Sequence, residues 1–334
     1  LVEEGALAVV EISSRDNGIV RVTGMSAPDP EDPVGVTGLG MAAEHYNWIL
    51  RLLETRNGSS DASDGKTGDP DPVVLEIDVD ATFHEDDPKA YNTIAEIPGS
   101  PGNGEVVIAG AHLDAWHAGT GATDNASGVS VVMEAARILK ALDVRPRRTI
   151  RIALWTGEEA GYYGSRAYVE EHYAERPEHT DPEQLKLPRG LRETLWPLDL
   201  KPDHAGVAAY FNYDNGSGKI RGIYAEENAG VVPIFEAWLK PMADLGAVKV
   251  TMRKTGGTDH VPFQRVGLPG FQFIQDRLGY GTRTHHTNLD VYDHLEGDDL
   301  KQSAVVMATF LYHAAMREEM LPRKPVPQEP PTGN

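Results

Sequence analysis

Apolar positions between residues 105 and 275 follow two alternating patterns. Apolar runs of strand length alternate with longer segments in which apolar residues recur at helical spacing. The predicted strands are "EVVIAGAHLD", "RRTIRIALWT", "HAGVAAYFNYDNG" and "LPGFQFIQ", and the predicted helices are "SGVSVVMEAARILKAL", "YGSRAYVEEHYAE" and "VVPIFEAWLKPMADLG". Strands that alternate with helices at this interval indicate βαβ units. They predict an α/β fold in which helices cover both faces of a largely parallel sheet.

The chain before residue 105 shows a weaker pattern. A short strand "ALAVVEI" precedes the turn-rich "SAPDPEDPVG", and a helix is predicted in "GMAAEHYNWILRLLETRNG", ending at Asn57-Gly58. After a polar loop, the alternating "VVLEIDVDATF" and the run "AYNTIAEIPG" predict two more strands. At the other end of the chain, the Pro-rich "LPRKPVPQEPPTGN" predicts a disordered tail.

Composition narrows the classes of partner. The 334 residues include 31 Lys and Arg against 51 Asp and Glu, a formal net charge of −20, which argues against nucleic acid and anionic membranes as partners. There is no cysteine, so any metal must be bound by His, Asp and Glu. No apolar run approaches the roughly 20 residues of a membrane span. The chain opens with Leu1 in a pattern typical of the middle of a fold, so we expect its native N-terminus to be missing.

Side chains able to bind metal follow the predicted strands at the points where the strands end. Ligands of parallel α/β sheets bind beyond these carboxyl ends, so we expect the side chains to lie close together. Imidazole and carboxylate groups without thiolates suit a catalytic zinc, and the set is large enough for two ions. The residues are His112, Asp114, Asp124, Glu158, Glu159, Asp214, His285 and His286.

Each of these residues also has a structural interpretation. Asp124 could serve as the N-cap of the helix that begins near Ser127, since Asp is a favoured capping residue. Glu158 and Glu159 could form an acidic helix start that the macrodipole favours. These interpretations are sound one at a time, but they do not explain why strand after strand ends in such a group. The pattern as a whole favours a metal site.

Five blocks of sequence together resemble the M28 family of zinc peptidases, in particular its branch related to plasma glutamate carboxypeptidase. The blocks are "GAHLDAWHAGTGATDNASGVSVVMEAARIL", "RPRRTIRIALWTGEEAGYYGSRAYV", "NYDNGSG", "GGTDHVPFQRVGLPGF" and "HHTNLDVYDHL". The resemblance implies a three-layer αβα fold with a central, mostly parallel mixed sheet. It implies a catalytic domain over residues 39–320, preceded in 1–38 by the remnant of a protease-associated domain and its connector, and followed by the tail 321–334.

The same resemblance implies two zinc ions. His112, Asp124 and Asp214 would bind one ion, and Asp124, Glu159 and His286 the other, so that Asp124 bridges the two. The family also has a cis peptide bond after this aspartate, which would here be Asp124-Asn125.

Roles in catalysis follow from the resemblance in the same way. Glu158 would be the general base that acts on a metal-bridging water. Asp114, two residues from His112, would orient an imidazole of the site without binding metal itself, although a solvent-facing aspartate is an alternative. His285 would donate to the developing oxyanion, although a solvated histidine is an alternative.

Substrate-lining residues are expected in the block "TGGTDHVPF". Gly257, Thr258 and Asp259 are the candidates there, although a helix N-cap formed by Thr258 or Asp259 explains much of the same pattern. Arg283 and Arg277 could bind a substrate carboxylate bidentately, or could simply be solvated charges.

The sequence therefore favours a di-zinc exopeptidase that hydrolyses short peptides, with aminopeptidase, carboxypeptidase and dipeptidase activity all left open. The first alternative is a one-zinc acyl transferase that resembles glutaminyl cyclases, and the second is a metal-free binding or receptor module on the same fold. A peptide is the expected partner, and a homodimer is left open. The resemblance favours a secreted or periplasmic location.

Overall fold

The computed structural model describes residues 1, 3–22, 24, 35–58, 72–82, 84, 86–87, 89–187 and 191–330. The elements before the central sheet are β1 (Ala8–Ile12), β2 (Thr37–Met41) and α1 (Ala43–Gly58). Those that follow are β3 (Thr93–Ile97), β4 (Val106–His112), α2 (Ser127–Ala141), β5 (Thr149–Trp155), α3 (Tyr163–His172), β6 (Ala174–Glu175), α4 (Pro182–Leu185), β7 (Asp199–Leu200), β8 (Val207–Asn212), β9 (Ile220–Tyr224), α5 (Val232–Leu239), β10 (Lys249–Thr251), α6 (His260–Arg265), β11 (Gly270–Gln275) and α7 (Gly297–Met316).

The central sheet has seven strands in the order β10-β9-β11-β8-β4-β5-β3. The four middle strands, β11, β8, β4 and β5, run parallel to one another, whereas β3 and β9 run antiparallel to their neighbours β5 and β11. Every residue of β4 and of β8 is buried, as expected of parallel strands covered on both faces. The carboxyl ends of β4, β5 and β8 therefore lie side by side.

Two apolar cores cover the faces of this sheet. On one face α2, α5 and α7 contribute to a core that contains Phe211, Phe235 and Phe310. On the other face α3 and α6 contribute to a smaller core in which the ring of Phe263 stacks on that of Tyr210 at 4.2 Å between centroids. Helices on both sides of a mixed, mostly parallel sheet confirm the predicted three-layer α/β fold.

The remaining strands form two small pairs away from the central sheet. β1 and β2 form a parallel pair, and β6 and β7 an antiparallel one. In the described part of the chain, no helix is both long enough and apolar enough to cross a membrane.

Several predicted elements differ from the structure. "VVLEIDVDATF" was predicted as a strand, but the described residues 72–82 form none. Val74, Leu75, Ile77 and Val79 are all exposed, so the alternating pattern has no buried face to stabilise a ladder. The helix predicted over "VVPIFEAWLKPMADLG" is α-helical only to Leu239 and continues as a 3-10 segment, because the proline in Lys240–Leu245 has no amide hydrogen to donate.

Other differences are omissions. β2, β9, β10 and the long helix α7 were not predicted from the sequence. The first residues of the Pro-rich segment were predicted to be disordered, but Leu321 is buried and the guanidinium of Arg323 donates to the carbonyls of His204 and Ala205. The turn-rich residues 25–34, the polar loop 59–71 and the last four residues 331–334 lie outside the described part of the chain.

Candidate metal centre

Three loops bring polar side chains together at the carboxyl ends of the middle strands. His112 is the last residue of β4 and pairs with Trp155 at the end of β5, three residues before Glu158. Asp214 follows β8, whose Asn212 pairs with Gly110 of β4. The register of the parallel strands thus places these side chains at one edge of the sheet.

The first cluster consists of His112, Asp124 and Asp214. The Nε2 atom of His112 lies 3.3 Å from Oδ1 of Asp124 and 3.5 Å from Oδ1 of Asp214, and all three residues are buried. The other ring nitrogen, Nδ1, lies 2.9 Å from the backbone carbonyl oxygen of Asp114 and donates to it. This hydrogen bond occupies Nδ1 and leaves Nε2, which faces the two carboxylates, as the ring nitrogen that could bind a metal ion.

The second cluster shares Asp124 with the first. The Nε2 atom of His286 lies 3.1 Å from Oε2 of Glu159 and 3.5 Å from Oδ2 of Asp124. The neighbouring His285 also approaches Oδ2 of Asp124, at 3.9 Å from its Nε2 atom. Since Oδ1 of Asp124 faces His112 and Oδ2 faces His286, one carboxylate contacts both clusters.

These clusters fit metal ions. Four of their buried atoms have no hydrogen-bond partner, namely Nε2 of His112, Oδ2 of Asp124, Oε1 of Glu159 and Oδ1 of Asp214. Buried polar atoms without partners are costly unless a ligand satisfies them. Two ligand atoms at about 2.0–2.2 Å from one tetrahedral zinc lie about 3.3–3.5 Å apart. The separations of 3.1–3.5 Å between each imidazole nitrogen and its two carboxylate oxygens match this value.

The concentration of buried carboxylates perturbs the pKa values of the metal-free site. Burial raises the pKa of Asp124 to about 6, and the charges of Asp214 and Glu159 add to the effect while His112 opposes it. Burial also raises the pKa of Glu158 well above its ordinary value. For His112, burial would lower the pKa, but the surrounding carboxylates, Asp214 first, outweigh it and raise the pKa. The site without metal therefore retains protons that a cation would displace.

Two features characterise the backbone at Asp124: the geometry of its peptide bond and its hydrogen bonds to Asp290. The peptide bond between Asp124 and Asn125 is cis, as the resemblance implied. The carboxylate of Asp290 accepts hydrogen bonds from the amide of Thr123 at 2.6 Å, the hydroxyl of Thr123 at 2.7 Å and the amide of Asp124 at 3.1 Å. Asp290 was not singled out from the sequence, although it lies in the same block as His286.

Asp124 does not cap the next helix; instead, the side-chain oxygen of Asn125 accepts a hydrogen bond from the amide of Gly128.

Asp114 contacts the site differently from the sequence-based interpretation. Its carboxylate accepts hydrogen bonds from the backbone amides of Glu158 at 3.0 Å and Glu159 at 3.1 Å. The ring of His112 is instead bonded to the backbone carbonyl of Asp114, and the carboxylate lies farther away, at 3.7 Å. Asp114 thus fixes the backbone that carries both glutamates. These glutamates do not start a helix, since α3 begins only at Tyr163.

The expected substrate-lining residues are divided between the interior and the surface. Gly257 is exposed with φ 81°, while Thr258 and Asp259 are buried. Neither caps α6 through its side chain: the hydroxyl of Thr258 accepts from the amide of Asn212, and the carboxylate of Asp259 accepts from the hydroxyl of Ser165. Burial raises the pKa of Asp259 to about 7.

The remaining candidates lie on the loop before α7. Arg283 is exposed, as is Arg277 just before the loop. The ring of His285 is tilted by 34° against that of His286, with 3.8 Å between the centroids. Burial, followed by the charges of His286 and Arg21, lowers the pKa of His285 to about 4. Tyr280 is a further residue that the sequence analysis missed. Burial, and then the charge of Asp124, raises the pKa of its hydroxyl well above the ordinary value.

A family comparison agrees with this geometry. The sequence model of Peptidase family M28 matches residues 92–311, which include every residue of both clusters. The chain belongs to peptidase family M28. Bovine carboxypeptidase Q is 31% identical over 251 residues, which cover 75% of this chain and 47% of that protein. Leupeptin-inactivating enzyme 1 of Streptomyces exfoliatus is 28% identical over 190 residues, covering 56% of this chain and 36% of that protein. The chain thus spans about half the length of the carboxypeptidase Q sequences that it resembles.

Solved structures share the fold. A peptidase M28 precursor from Shewanella amazonensis superimposes with a TM-score of 0.69 at 23% identity, covering 98% of this chain and 64% of the other. The zinc aminopeptidase BSAP from Bacillus subtilis gives a TM-score of 0.57 at 19% identity, covering 95% and 66%. The chain thus resembles a protein named carboxypeptidase Q in sequence, and a protein named a zinc aminopeptidase in fold.

Proposed function

We propose that the chain is the catalytic part of a two-zinc exopeptidase that hydrolyses short peptides. The observation that carries the proposal is that His112 and His286 approach different oxygens of the Asp124 carboxylate, at 3.3 and 3.5 Å, while Nε2 of His112 and Oδ2 of Asp124 are buried without hydrogen-bond partners. His112, Asp124 and Asp214 would bind one ion, and Asp124, Glu159 and His286 the other. When bound, zinc lowers the pKa of water and polarises the substrate carbonyl.

Glu158 is the proposed general base. Its carboxylate is buried beside the first cluster, with Oε2 at 4.0 Å from Nε2 of His112, yet it is not needed to complete either ligand set. From there it can accept a proton from the attacking water and pass it to the leaving amine, a role worth about 10²–10⁴-fold in rate. Asp114 supports this role because it holds the amides of Glu158 and Glu159.

His285 is proposed to stabilise the oxyanion that forms on the substrate carbonyl. It lies at the edge of the second cluster, is partly exposed to solvent and so can reach a substrate, and its ring contacts that of His286. A neutral imidazole supplies one N–H donor for this purpose.

The alternatives fit the site less well. A one-zinc acyl transferase would use Asp124, Glu159 and His286 and leave His112 and Asp214 without a function, although both are buried and their ligand atoms lack partners. A metal-free binding module would retain these uncompensated atoms at a cost in stability. The secreted or periplasmic location, which the resemblance of this chain to the family favours, stays a prediction.

Hydrolysis of a peptide panel before and after metal removal tests the proposal. Dipeptides and blocked peptides should be cleaved by dialysed protein, cleavage should stop on treatment with a chelator, and added zinc should restore it. Cleavage that is indifferent to the chelator, in protein shown to be free of metal, would contradict the proposal.

A further inference from the structure

The segment before β2 lies against the loop that carries His286. The amide of Val22 donates to the carbonyl of His286 at 2.8 Å, and the backbone of Arg21 forms an antiparallel bridge to Thr287. Next to this bridge, Asn288 exchanges two hydrogen bonds with the backbone of Val20, at 2.9 and 3.1 Å. This arrangement places the side chain of Arg21 at the edge of the candidate metal centre.

Two arginines of this segment have unused donors. An Nη atom of Arg21 lies 3.4 Å from Nδ1 of His286, and one of Arg15 donates to the carbonyl of Gly281 at 2.8 Å. The Nε atoms of both are buried and have no hydrogen-bond partner. Among the residues that the structure describes, no carboxylate pairs with either guanidinium, although the protein carries a net charge of −20. Both arginines are thus available to an anion that the described residues do not supply.

Trp116 adds a third donor from another part of the chain. Its ring lies 5.8 Å from that of His286, between centroids, and its indole Nε1 atom is also buried without a partner. The ring approaches Gly24, where an added Cβ would lie 2.7 Å from it. Arg21 and Trp116 therefore flank His286 from different elements, and each has an N–H group that lacks an acceptor.

We infer that Arg21, assisted by Arg15 and Trp116, binds the terminal carboxylate of a peptide substrate, so that the enzyme removes residues from the C-terminus. The inference rests on the proposed function and specifies its direction. In a C-terminal residue the carboxylate lies one residue from the scissile carbonyl, about 3.8 Å along the backbone. The group that binds it must therefore lie beside the metal centre, as Arg21 does. Arg283 and Arg277, the candidates from the sequence, are exposed at the surface.

A pair of substrates tests this inference: an N-acetylated dipeptide with a free carboxylate and the same dipeptide as its C-terminal amide. Wild-type protein should prefer the acid in kcat/KM by about 10- to 100-fold, as expected of a charge-assisted hydrogen bond. Arg21→Gln should bring the acid-to-amide ratio close to one, Arg15→Gln should lower it less, and Arg21→Lys should recover part of it because the charge is retained. Arg145→Gln, an exposed arginine remote from the site, is the control.

The outcomes distinguish two roles of Arg21: binding the substrate carboxylate and positioning His286. If Arg21→Gln lowered kcat/KM equally for acid and amide, Arg21 would only position His286, and the inference would be wrong. Equal cleavage of acid and amide by wild-type protein, or a requirement for a free N-terminus, would also overturn it. Calorimetry of an N-acetylated amino acid and its amide gives a second readout, independent of turnover. Tighter binding of the acid that Arg21→Gln abolishes would support the inference even if hydrolysis, and with it the proposed function, failed.

Discussion

The two halves of the candidate metal centre are built in different ways. His112 and Asp214 follow fully buried parallel strands and are themselves 1% and 8% exposed. His286 instead lies on a loop with positive φ, its side chain is 18% exposed, and the loop is held by backbone bonds to residues 20–22. One half is positioned by the sheet, whereas the other depends on a segment far away in the sequence. Asp124 and Asp290 connect them.

This difference suggests separate roles for the two halves: the strand-end half supports the reaction, and the loop half admits the substrate. The strand-end half keeps its carboxylates away from water, which strengthens their interactions with a cation and with the attacking water. The loop half is open enough for a substrate and includes the donors Arg21, His285 and Trp116. We therefore expect changes in the first half to abolish turnover and changes in the second to alter metal occupancy and substrate preference.

The largest effect is expected from Glu158→Gln. The amide cannot accept a proton, so kcat should fall by about 10³-fold, while both ligand sets remain intact and zinc content is unchanged. Steady-state kinetics and elemental analysis of the same preparation check this. A variant with full activity would remove Glu158 from its proposed role, and one that lost zinc would show that Glu158 acts mainly as a ligand.

Asp290→Asn should lower the zinc affinity of both halves of the metal centre. An amide cannot accept all three hydrogen bonds that Asp290 receives from Thr123 and Asp124. Loss of such support for a ligand typically costs about 10- to 100-fold in metal affinity or activity. Calorimetric titration with zinc measures this affinity, and Asp293→Asn, a change at an exposed residue, is the matched control. If Asp290→Asn bound both ions as tightly as that control, Asp290 would not position Asp124.

Part of the pH dependence of stability should arise from Asp259, a buried residue whose charge interacts with His112 and Asp214 of the strand-end half. In the folded protein the pKa of Asp259 is raised by burial to about 7, whereas an unfolded aspartate titrates near 3.8. The folded state therefore binds the proton more tightly, and this contribution, present at low pH, is lost as pH rises through about 7. Metal-free protein should lose on the order of 2 kcal/mol of unfolding free energy between pH 5 and pH 8 from this group.

Asp259→Asn isolates this contribution. The amide does not titrate, so the variant should show a flatter dependence of unfolding free energy on pH, measured by urea unfolding of metal-free protein at both pH values. The control is Asp293→Asn, whose side chain is exposed and should leave the slope unchanged. Equal slopes for wild type and Asp259→Asn would contradict the raised pKa.

The smallest effect is expected from Asn288→Ala, which affects the loop half alone. The variant loses the side-chain bond to the amide of Val20, one of several that hold the loop, and one such bond is worth about 1 kcal/mol. The affinity of the ion near His286 should fall by a few fold, while the ion near His112 is retained. Stepwise chelation checks this, and a parallel loss of both ions would show that the two halves are not separable.

The sequence signal for the strand-end side chains is local. Apolar runs that end in His112, Glu158 or Asp214 indicate both the strands and the edge at which the side chains meet. The contacts of Asp290 with Thr123, and of Arg21 with His286, join residues more than 160 positions apart, and no local pattern encodes them. The strand predicted over 73–83 failed for a related reason: alternation predicts a strand only where one face is buried, and burial is a property of the fold.

The zinc content of dialysed wild-type protein, compared with Asp124→Ala and His286→Ala, tests the central claim most directly. A shared carboxylate predicts about two ions per chain in the wild type, one in His286→Ala and a loss of both in Asp124→Ala, as determined by elemental mass spectrometry. A wild-type protein that binds one ion, or an Asp124→Ala variant that retains two, would contradict a two-zinc centre built around Asp124.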